Sequence, residues 1–587
     1  MIALTLEVIK EHTLITTFEE FINEVVKRLN DKKLIVFCGA GISYNSGVPL
    51  VNQIKRNIIQ RFCKTADETE LLVHDKIPFE LFMQTLIEHS ESEKLLDIFD
   101  IGEPNENHYL FARFAKAGIL NCIITTNFDT HIEKAFATEK IKYKVHYDEA
   151  EFTNIELSND FVTIIKIHGS VENKQRMAVT LKRVSGKILY SKRKDAINKI
   201  ATGLNGNAIL IMGYSCSDYF DINPILEGID ENKNEIFFLQ HEKVEQQTFL
   251  VSPINSLTGN NPFKNYPGYL LNINTDIFVQ NLVKQMYGDD LKIDKGKDIK
   301  WERLIDVWMN EVKIIKGRAI EAFIAGQLFN VCTRYAKAIE YFEDALNIAN
   351  EDNDTELKIN SLFALGRCYR DTQKNKEGWQ KALFYLFKSN KLSKINKRLK
   401  KQCFSLLSIG VTMEDKKDHF KAIKYYEDAK KIAVRITEKD IEAICLGNIG
   451  IVMKNLAEEI PICSKYYFNK AIQFQKKSID ISVETGDKGS EGRTYGNIGI
   501  IASCMGDSLQ AIKNYEIAFK IAKELNDYKH QGIWLFNKGF DLKNINLINA
   551  QVEIINAKNI FSGIEPPLEN YIALCNKELE EIERLIT

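Results

Sequence analysis

Polar residues that could do chemistry follow two apolar runs in the first half of the chain. Asn127 and Asp129 stand after the run NCII, and His168 stands after the run VTIIKI. A side-chain amide can orient a water molecule or a hydroxyl group, and an imidazole that titrates near neutral pH can act as a general base. Two plainer interpretations stay open, because Asn127 and Asp129 could cap a helix over 130–136 and His168 could be a hydrogen-bonded residue in a turn.

A glycine-rich turn follows an earlier apolar run, LIVFC at residues 34–38. The turn reads Gly39-Ala40-Gly41 and leads through an isoleucine to Ser43. Where a strand passes into a helix at such a turn, backbone N–H groups point outward, and glycine lets a phosphate approach them closely. A plain tight turn is the alternative. The dinucleotide fingerprint GxGxxG is absent because Tyr44 occupies the third glycine position, and the phosphate loop GxxxxGK[ST] is absent from the chain.

A further polar stretch, GYSCSD, follows the run AILIM at residues 208–212. It contains Gly213, Ser215 and Asp218. The alternative is that Gly213 and Ser215 form only a turn. Ligands of open α/β sheets bind at the carboxyl ends of the strands, so the shared position of all these stretches predicts one common crevice.

The elements that must position these residues follow from alternating patterns. Strand-like apolar runs alternate with helical patterns, which is typical of a mainly parallel sheet with helical crossovers. The runs are continuous, as expected for strands that are covered on both faces. The predicted strands are 34–39, 121–127, 161–169, 207–213 and 235–240.

The second half of the chain is helical in pattern and repetitive. Six glycines recur at intervals of 40 to 49 residues, and in three repeats an alanine follows 12 residues later, then an aromatic residue at +4 and another alanine at +7. The pattern resembles the tetratricopeptide repeat and predicts an all-α solenoid, with the aromatic side chains wedged between neighbouring repeats. An irregular helical bundle is the alternative. The six glycines are Gly326, Gly366, Gly410, Gly450, Gly499 and Gly539.

Length and composition limit the possible classes of protein. A chain of 587 residues is too long for one core, and we predict domains at 1–287 and 303–587, joined by a charged linker at 288–302. The formal net charge of −2, the lack of an apolar run of roughly 20 residues and the N-terminal sequence predict a cytoplasmic protein that binds neither nucleic acid nor membrane. Eleven cysteines without a CxxC pair disfavour disulfides and a zinc site, and favour reduced, mostly buried thiols.

The ordered set GAGIS, PNENHYLFARF (104–114), TTNFD, HGS and GYS resembles the sirtuin family. More narrowly, it is similar to the bacterial branch in which a domain that cleaves NAD⁺ is joined to a helical sensing module in antiphage defence. The resemblance implies a Rossmann-like α/β sirtuin domain with a mainly parallel sheet, followed by the tetratricopeptide-repeat solenoid. It also implies that NAD⁺ is the substrate and that no metal is required.

The resemblance also implies a role for each candidate residue. Asn127 orients a water molecule or the ribose beside the carbon that carries nicotinamide, Asp129 contacts the nicotinamide side, and His168 is the general base. The other residues contact the pyrophosphate, the phosphates or the adenosine ribose: Gly39, Ala40, Gly41, Ser43, Gly213, Ser215 and Asp218.

The chain departs from the sirtuin pattern where deacylation is concerned. Sirtuin deacylases carry a zinc ribbon of paired CxxC motifs that helps to form the acyl-lysine groove, and this sequence has no such pair; Thr126 also replaces the family's Gln. Water is then the expected acceptor, and the expected activity is that of an NAD⁺ glycohydrolase that produces nicotinamide and ADP-ribose. The alternatives are an NAD-dependent protein deacylase and a non-catalytic scaffold that binds NAD⁺ or ADP-ribose.

The fusion to a repeat array implies regulation, because an unrestrained NAD⁺ hydrolase would kill its own cell. A tetratricopeptide array offers a concave surface for protein ligands. We therefore expect an activating protein ligand, of phage origin in the defence context, on the repeat domain. We also expect a homo-oligomer.

Overall fold

The structure is a computed structural model that describes most of the chain. It covers residues 23, 26–27, 34–288 and 299–586, except for 76, 149, 181–186, 204–207, 217–221, 228–233, 242–249, 257–260, 373, 526 and 564–567. The chain divides into two compact units, Met1–Glu311 and Val312–Thr587. Part of the predicted linker lies outside the described residues, so the boundaries 1–287, 288–302 and 303–587 stay predictions.

Within the described residues, the first unit is built on one sheet of eight strands. Neighbouring strands are parallel except for the last pair, β7 with β8. The strands are β1 (Leu34–Cys38), β2 (Leu120–Thr125), β3 (Tyr143–His146), β4 (Val162–Lys166), β5 (Ala208–Met212), β6 (Glu235–His241), β7 (Leu250–Pro253) and β8 (Gly268–Ile273). The five predicted strands are confirmed as β1, β2, β4, β5 and β6, and the mainly parallel sheet is confirmed with them.

Helices cover both faces of this sheet. The α-helices are α1 (Val51–Phe62), α2 (Ala66–His74), α3 (Phe79–Ser90), α4 (Glu106–Lys116), α5 (His131–Thr138), α6 (Lys187–Gly203), α7 (Ile222–Glu227) and α8 (Thr275–Tyr287). Short 3₁₀ helices occupy Ala40–Ser46, Lys94–Phe99, Phe152–Asn154, Val171–Arg176 and Ile254–Ser256.

Strand β1 shows why the apolar runs are continuous. Its side chains alternate between the two faces, as the period of a strand requires. Val36 packs in a core with residues of α4, α5 and α8, whereas Ile35 and Phe37 pack in a second core with residues of α6 and α7. A strand that is buried on both sides therefore appears in the sequence as a continuous apolar run.

The strand order explains where a ligand can bind. It runs β3-β4-β2-β1-β5-β6-β8-β7, so β4, β2, β1 and β5 lie side by side. The chain leaves β1 for β2 on one side and later returns to β5 on the other side. The loops after these parallel strands meet at one edge, and such a reversal of strand order opens a crevice there.

The second unit is a run of paired helices. The helices that follow the sheet are α9 (Glu302–Lys316), α10 (Ile320–Val331), α11 (Tyr335–Glu351), α12 (Thr355–Thr372), α13 (Lys376–Ile395), α14 (Leu399–Asp415), α15 (His419–Arg435), α16 (Lys439–Glu459), α17 (Ser464–Thr485), α18 (Lys488–Cys504), α19 (Ser508–Glu524), α20 (Tyr528–Leu542), α21 (Leu547–Gly563) and α22 (Glu569–Ile586). From α10 onwards each helix packs on the next, and alternate helices from α10 to α20 also meet. This is the nearest-neighbour packing of an α-solenoid, which confirms the predicted fold class.

Each repeat glycine lies in the first helix of a pair, where it accommodates a side chain from the second. A Cβ atom at Gly410 would lie 2.4 Å from the ring of Tyr426, and one at Gly326 would lie 2.6 Å from the ring of Phe342. The aromatic ring therefore fills the space over the glycine of its own repeat. The ring of Tyr515 also stacks on the ring of Trp534 in the next helix pair, with centroids 6.3 Å apart, as the predicted wedge between neighbouring repeats requires.

Candidate functional site

The turn after β1 is joined to the loop after β5 by backbone hydrogen bonds. The N–H of Gly39 donates to the carbonyl of Met212 at 3.1 Å, and the N–H of Gly41 donates to the carbonyl of Gly213 at 2.9 Å. The glycine-rich turn was predicted to offer its N–H groups to a pyrophosphate. That prediction needs correction for Gly39 and Gly41, because their donors are used inside the protein.

Glycine is needed here because two loops approach closely. A Cβ atom at Gly41 would lie 2.7 Å from the Cα atom of Gly213, and one at Gly213 would lie 2.5 Å from the backbone nitrogen of Ile42. Gly213 also has a φ of 62°, which favours glycine. Ala40 and Gly41 are exposed. A ligand can therefore reach the turn, and a pyrophosphate contact at Ala40 stays a prediction.

The side chain of Ser43 is the centre of a buried polar network. Its Oγ atom donates to Oδ2 of Asp129 at 2.9 Å, accepts from Nδ2 of Asn127 at 3.2 Å, and lies 3.2 Å from Nε2 of His108. All four side chains are at least nine-tenths buried. Because this hydroxyl is committed to protein groups, any phosphate contact of Ser43 would involve its main chain.

The loop after β2 has two different functions in this network. Oδ1 of Asp129 accepts a hydrogen bond from the backbone N–H of His131 at 3.1 Å, at the start of α5. The capping interpretation therefore holds for Asp129, whose two carboxylate oxygens both have protein partners. It does not hold for Asn127, whose amide turns to Ser43. A contact of Asp129 with nicotinamide stays a prediction.

Asp129 is held in its ionised form. Burial opposes ionisation, but the fields of His131, His108 and Lys166 and the hydrogen bond from His131 outweigh it, and the pKa of Asp129 is lowered. His108 is itself neutral near pH 7, because complete burial lowers its pKa to about 3.

His168 lies on the loop beside that of Asn127. Thr125 of β2 pairs with Lys166 of β4 in the sheet, so Asn127 and His168 each stand two residues beyond a paired position. The ring of Phe128 stacks on the ring of His168 with centroids 6.3 Å apart. The His168 side chain is buried and 6% exposed. Asn127 and His168 are distant in the sequence and were predicted to act together. The sheet places them on neighbouring loops.

Lys166 links the loop after β2 to the loop after β4. Its Nζ atom donates to the carbonyl of Asp129 at 2.5 Å and to Oγ of Ser170 at 3.2 Å. It also forms an ion pair with Oε1 of Glu133 at 2.8 Å. Lys166 is fully buried. A second buried cation, Arg193, donates from Nε to the carbonyl of Ile167, the residue before His168, at 3.1 Å.

The motif PNENHYL holds the turn after β1 from the side. The side-chain amides of Asn105 and Asn107 both donate to the carbonyl of Ile42, at 2.7 and 3.1 Å. His108, on the first turn of α4, lies within hydrogen-bond distance of Ser43. Sequence reasoning noted this motif but assigned no role to these three residues. Their position in the ordered set of motifs was the signal that could have identified them.

The loop after β5 completes the edge. Ser215 is exposed, and Tyr214 beneath it is buried and donates its hydroxyl hydrogen to Oδ1 of Asn223 at 3.1 Å. Asp218, predicted as a ribose contact, lies outside the described residues. Cys38, at the end of β1, is no candidate nucleophile, because burial raises the pKa of its thiol to about 12. All eleven cysteines are free and most are buried, as predicted.

A mainly parallel sheet with polar loops gathered at its switch point defines the class of the first unit, and comparison with known proteins agrees. The model of the SIR2-like domain matches residues 121–254. The chain therefore joins a SIR2-like domain to a helical repeat unit.

Two curated proteins resemble this chain. The NAD(+) hydrolase ThsA of Cytobacillus dafuensis is 26% identical over 235 residues, which are 38% of this chain and 43% of that protein. The NAD-dependent protein deacetylase 2 of Caldanaerobacter subterraneus subsp. tengcongensis is 32% identical over 128 residues, which are 22% of this chain and 46% of that protein. The chain thus spans less than half the length of either relative.

Solved structures of helical proteins are also similar. A Rap protein complexed with competence and sporulation factor has a TM-score of 0.33 at 14% identity, and the match covers 53% of this chain and 84% of that one. A kinesin light chain of Podosopora anserina, described as having TPR-like repeats, has a TM-score of 0.29 at 12% identity over 35% of this chain and 96% of its own. Among the helices that the structure describes, none has the length and apolar character needed to cross a bilayer.

Proposed function

We propose that the chain is an NAD⁺ glycohydrolase that releases nicotinamide and ADP-ribose. The observation that carries the proposal is the convergence of the loops after β4, β2, β1 and β5 at one edge, with Asn127 and His168 on adjacent loops. The likeness to a relative named as an NAD(+) hydrolase supports the same substrate.

The reaction needs little covalent help from the protein. The bond between the nicotinamide nitrogen and the ribose carbon breaks, and its electron pair leaves with nicotinamide. The cation-like ribosyl carbon then takes the oxygen of a water molecule, whose proton passes to a base. Asn127 would hold the water or a ribose hydroxyl, and His168 would accept the proton. The ionised Asp129 favours the positive charge that develops on the sugar, and the buried surroundings strengthen the field of this carboxylate.

A second candidate is an NAD-dependent protein deacylase. The observation that favours it is the similarity to a relative named as a protein deacetylase. The missing CxxC pairs disfavour it. A non-catalytic scaffold that only binds NAD⁺ or ADP-ribose is a third candidate, which the buried Asn127–Ser43–Asp129 network disfavours because an ordinary binding loop does not need it.

The repeat unit would supply control. We propose that an activating protein ligand, of phage origin, binds the repeats and shifts the first unit toward an active state, so that NAD⁺ is consumed in an infected cell. Abortive antiphage defence by a homo-oligomeric, cytoplasmic enzyme without a metal is the setting that this proposal implies. What supports it is the fusion of the two units in one chain.

One product assay separates these candidates. The full chain is incubated with NAD⁺ and an acylated lysine peptide, with and without an extract of phage-infected cells, and nicotinamide, ADP-ribose and free lysine peptide are measured. The hydrolase predicts equal amounts of nicotinamide and ADP-ribose, no loss of acyl groups, and a higher rate with the extract. Acyl removal in proportion to nicotinamide would identify the deacylase, and NAD⁺ that is bound but never cleaved would identify the scaffold.

A further inference from the structure

The hydrogen bonds around Ser43 can be assigned by counting protons. Its Oγ atom has three neighbours: Oδ2 of Asp129 at 2.9 Å, Nδ2 of Asn127 at 3.2 Å and Nε2 of His108 at 3.2 Å. A hydroxyl group has one proton to donate and two lone pairs with which to accept. Only one of the three contacts can therefore be a donation from Ser43.

The direction of the His108 contact is fixed from the opposite side of the ring. Nδ1 of His108 accepts a hydrogen bond from the backbone N–H of Asn105 at 3.0 Å. A neutral imidazole that accepts at Nδ1 carries its hydrogen on Nε2. The ring is fully buried, and burial keeps it neutral by lowering its pKa. Nε2 of His108 thus donates to Ser43.

The remaining two directions follow. An ionised carboxylate has no proton, so the hydroxyl of Ser43 must donate to Asp129. Its second lone pair then needs a donor, and only the NH₂ group of Asn127 can supply one. The reversed amide would place the carbonyl oxygen of Asn127 against a hydroxyl whose proton is already used. The network therefore permits one orientation of the Asn127 amide.

This orientation directs the carbonyl oxygen of Asn127 away from Ser43. Asn127 is buried, and in the part of the chain that the structure describes no group hydrogen-bonds to its Oδ1 atom. A buried acceptor without a partner is unusual in proteins and commonly marks a place that water or a ligand satisfies. The chemistry of that place is defined, because an acceptor next to the carboxylate of Asp129 suits a hydroxyl or a water and repels a phosphate.

We infer that His108 is a positioning residue that acts through Ser43 to hold Oδ1 of Asn127 toward a hydroxyl group of the substrate or toward the attacking water. This inference rests on the proposed function and adds a residue to it. His108 lies on the first turn of α4, and the hydrogen bonds that link it to Asn127 run through Ser43. Its contribution is the hydrogen on Nε2.

A pair of His108 variants tests the inference in the full chain. In His108→Gln the side-chain NH₂ can occupy the position of the Nε2 hydrogen, whereas His108→Leu keeps a similar volume but has no donor. The probe is ADP-ribose, whose binding is measured by calorimetry. We expect His108→Leu to weaken binding about tenfold, as the loss of a well-placed hydrogen bond does, and His108→Gln to recover most of it.

A double-mutant cycle shows whether His108 acts through Asn127. If it does, His108→Leu together with Asn127→Ala binds ADP-ribose no more weakly than Asn127→Ala alone. Independent, additive losses would overturn the inference. Ser43→Ala removes the shared hydroxyl and should reproduce the loss of His108→Leu, which keeps the test valid if the leucine variant does not fold. His74→Leu, an exposed histidine of α2, is the matched control and should bind as the unaltered chain does.

Failure of this inference differs from failure of the proposed function. If the unaltered chain binds ADP-ribose and releases nicotinamide, but His108→Leu and Ser43→Ala bind as tightly, the positioning role is wrong and the hydrolase stands. If the unaltered chain neither binds ADP-ribose nor releases nicotinamide under any condition, both are wrong.

Discussion

The two units use glycine for close packing in different ways. Gly41 and Gly213 meet at the sheet edge although 172 residues separate them, whereas Gly410 and Tyr426 lie only 16 residues apart on two helices of one repeat. The sheet edge also gathers buried ionised groups, including Lys166 and Asp129, and the repeat contact is a ring against a backbone. The comparison teaches that the first unit brings together polar residues that are far apart in the sequence. The second unit repeats one apolar contact between residues that are close in the sequence.

The largest expected effect comes from breaking the buried ion pair below the crevice. Lys166→Met leaves the carboxylate of Glu133 buried without its cation, since 9% of Glu133 is exposed, and burial already raises its pKa. We expect a loss of about 3–5 kcal/mol in the stability of the first unit. Hydrogen exchange measured by mass spectrometry on the full chain should show faster exchange in β2 and β4 and no change in the repeats.

A double variant is the control for this prediction. Lys166→Met with Glu133→Leu removes both charges and should recover much of the lost protection, although the hydrogen bonds to Asp129 and Ser170 are still missing. Equal loss in the single and double variants would mean that the ion pair is not what holds the two loops.

A smaller effect is expected from filling the space over a repeat glycine. Gly410→Ala places a methyl group 2.4 Å from the buried ring of Tyr426, which cannot move aside. We expect a loss of about 2 kcal/mol confined to the second unit, in spite of the better helix propensity of alanine. Hydrogen exchange of α14 and α15 is the measurement.

Gly447→Ala is the matched control in the same class of helix. The closest atom to its Cβ would be Oγ of Ser478 at 3.6 Å, an ordinary contact. Alanine should therefore stabilise α16 by roughly 0.5–1 kcal/mol through propensity alone. If both variants were destabilised to a similar extent, contact with the ring of Tyr426 would not be the cause of the loss at Gly410.

The next effect is a dependence of stability on pH in the first unit. The pKa of His108 is lowered from its ordinary 6.5 to about 3, where it faces Asp129, His131 and the backbone of Asn105. Below pH 6.5 the unfolded chain binds a proton that the folded chain excludes. Stability is therefore complete above pH 6.5 and falls as the pH drops toward 3, by about 1.4 kcal/mol at pH 5.5.

His108→Gln removes this ionisable group and provides the reference. Thermal unfolding of both chains between pH 7.5 and 5.5 should show a steeper fall for the unaltered chain. Parallel curves would mean that His108 takes up its proton in the folded state, and Nδ1 of His108 could then no longer accept the hydrogen bond from the backbone N–H of Asn105.

Much of the sheet could be predicted because buried strands must be apolar. The runs that became β1, β2, β4, β5 and β6 end where polar loops begin. Strand β3 was missed because Tyr143 and Lys144 are exposed at the edge and give no apolar run. Strands β7 and β8 were missed as well, since they contain Ser252, Pro253 and Gly268, which are typical of turns.

The site was predictable in its residue types and not in its hydrogen bonds. Asn127, Asp129 and His168 stand out because each follows a strand. The sequence could not show that the N–H groups of Gly39 and Gly41 bond to the loop after β5, because the partner strand is distant in the chain. Nor could it assign a role to His108, whose donor hydrogen is set by a backbone group of Asn105.

The most direct test of the central claim compares NAD⁺ cleavage by the full chain with that of Asn127→Ala and His168→Ala. Nicotinamide release is followed under the condition that gives the unaltered chain its highest rate, with His74→Ala as the matched control and hydrogen exchange as the check of folding. The account predicts that each variant loses about a hundredfold or more in rate while it stays folded, and that His74→Ala loses nothing. Unchanged release of nicotinamide by both variants would contradict the account.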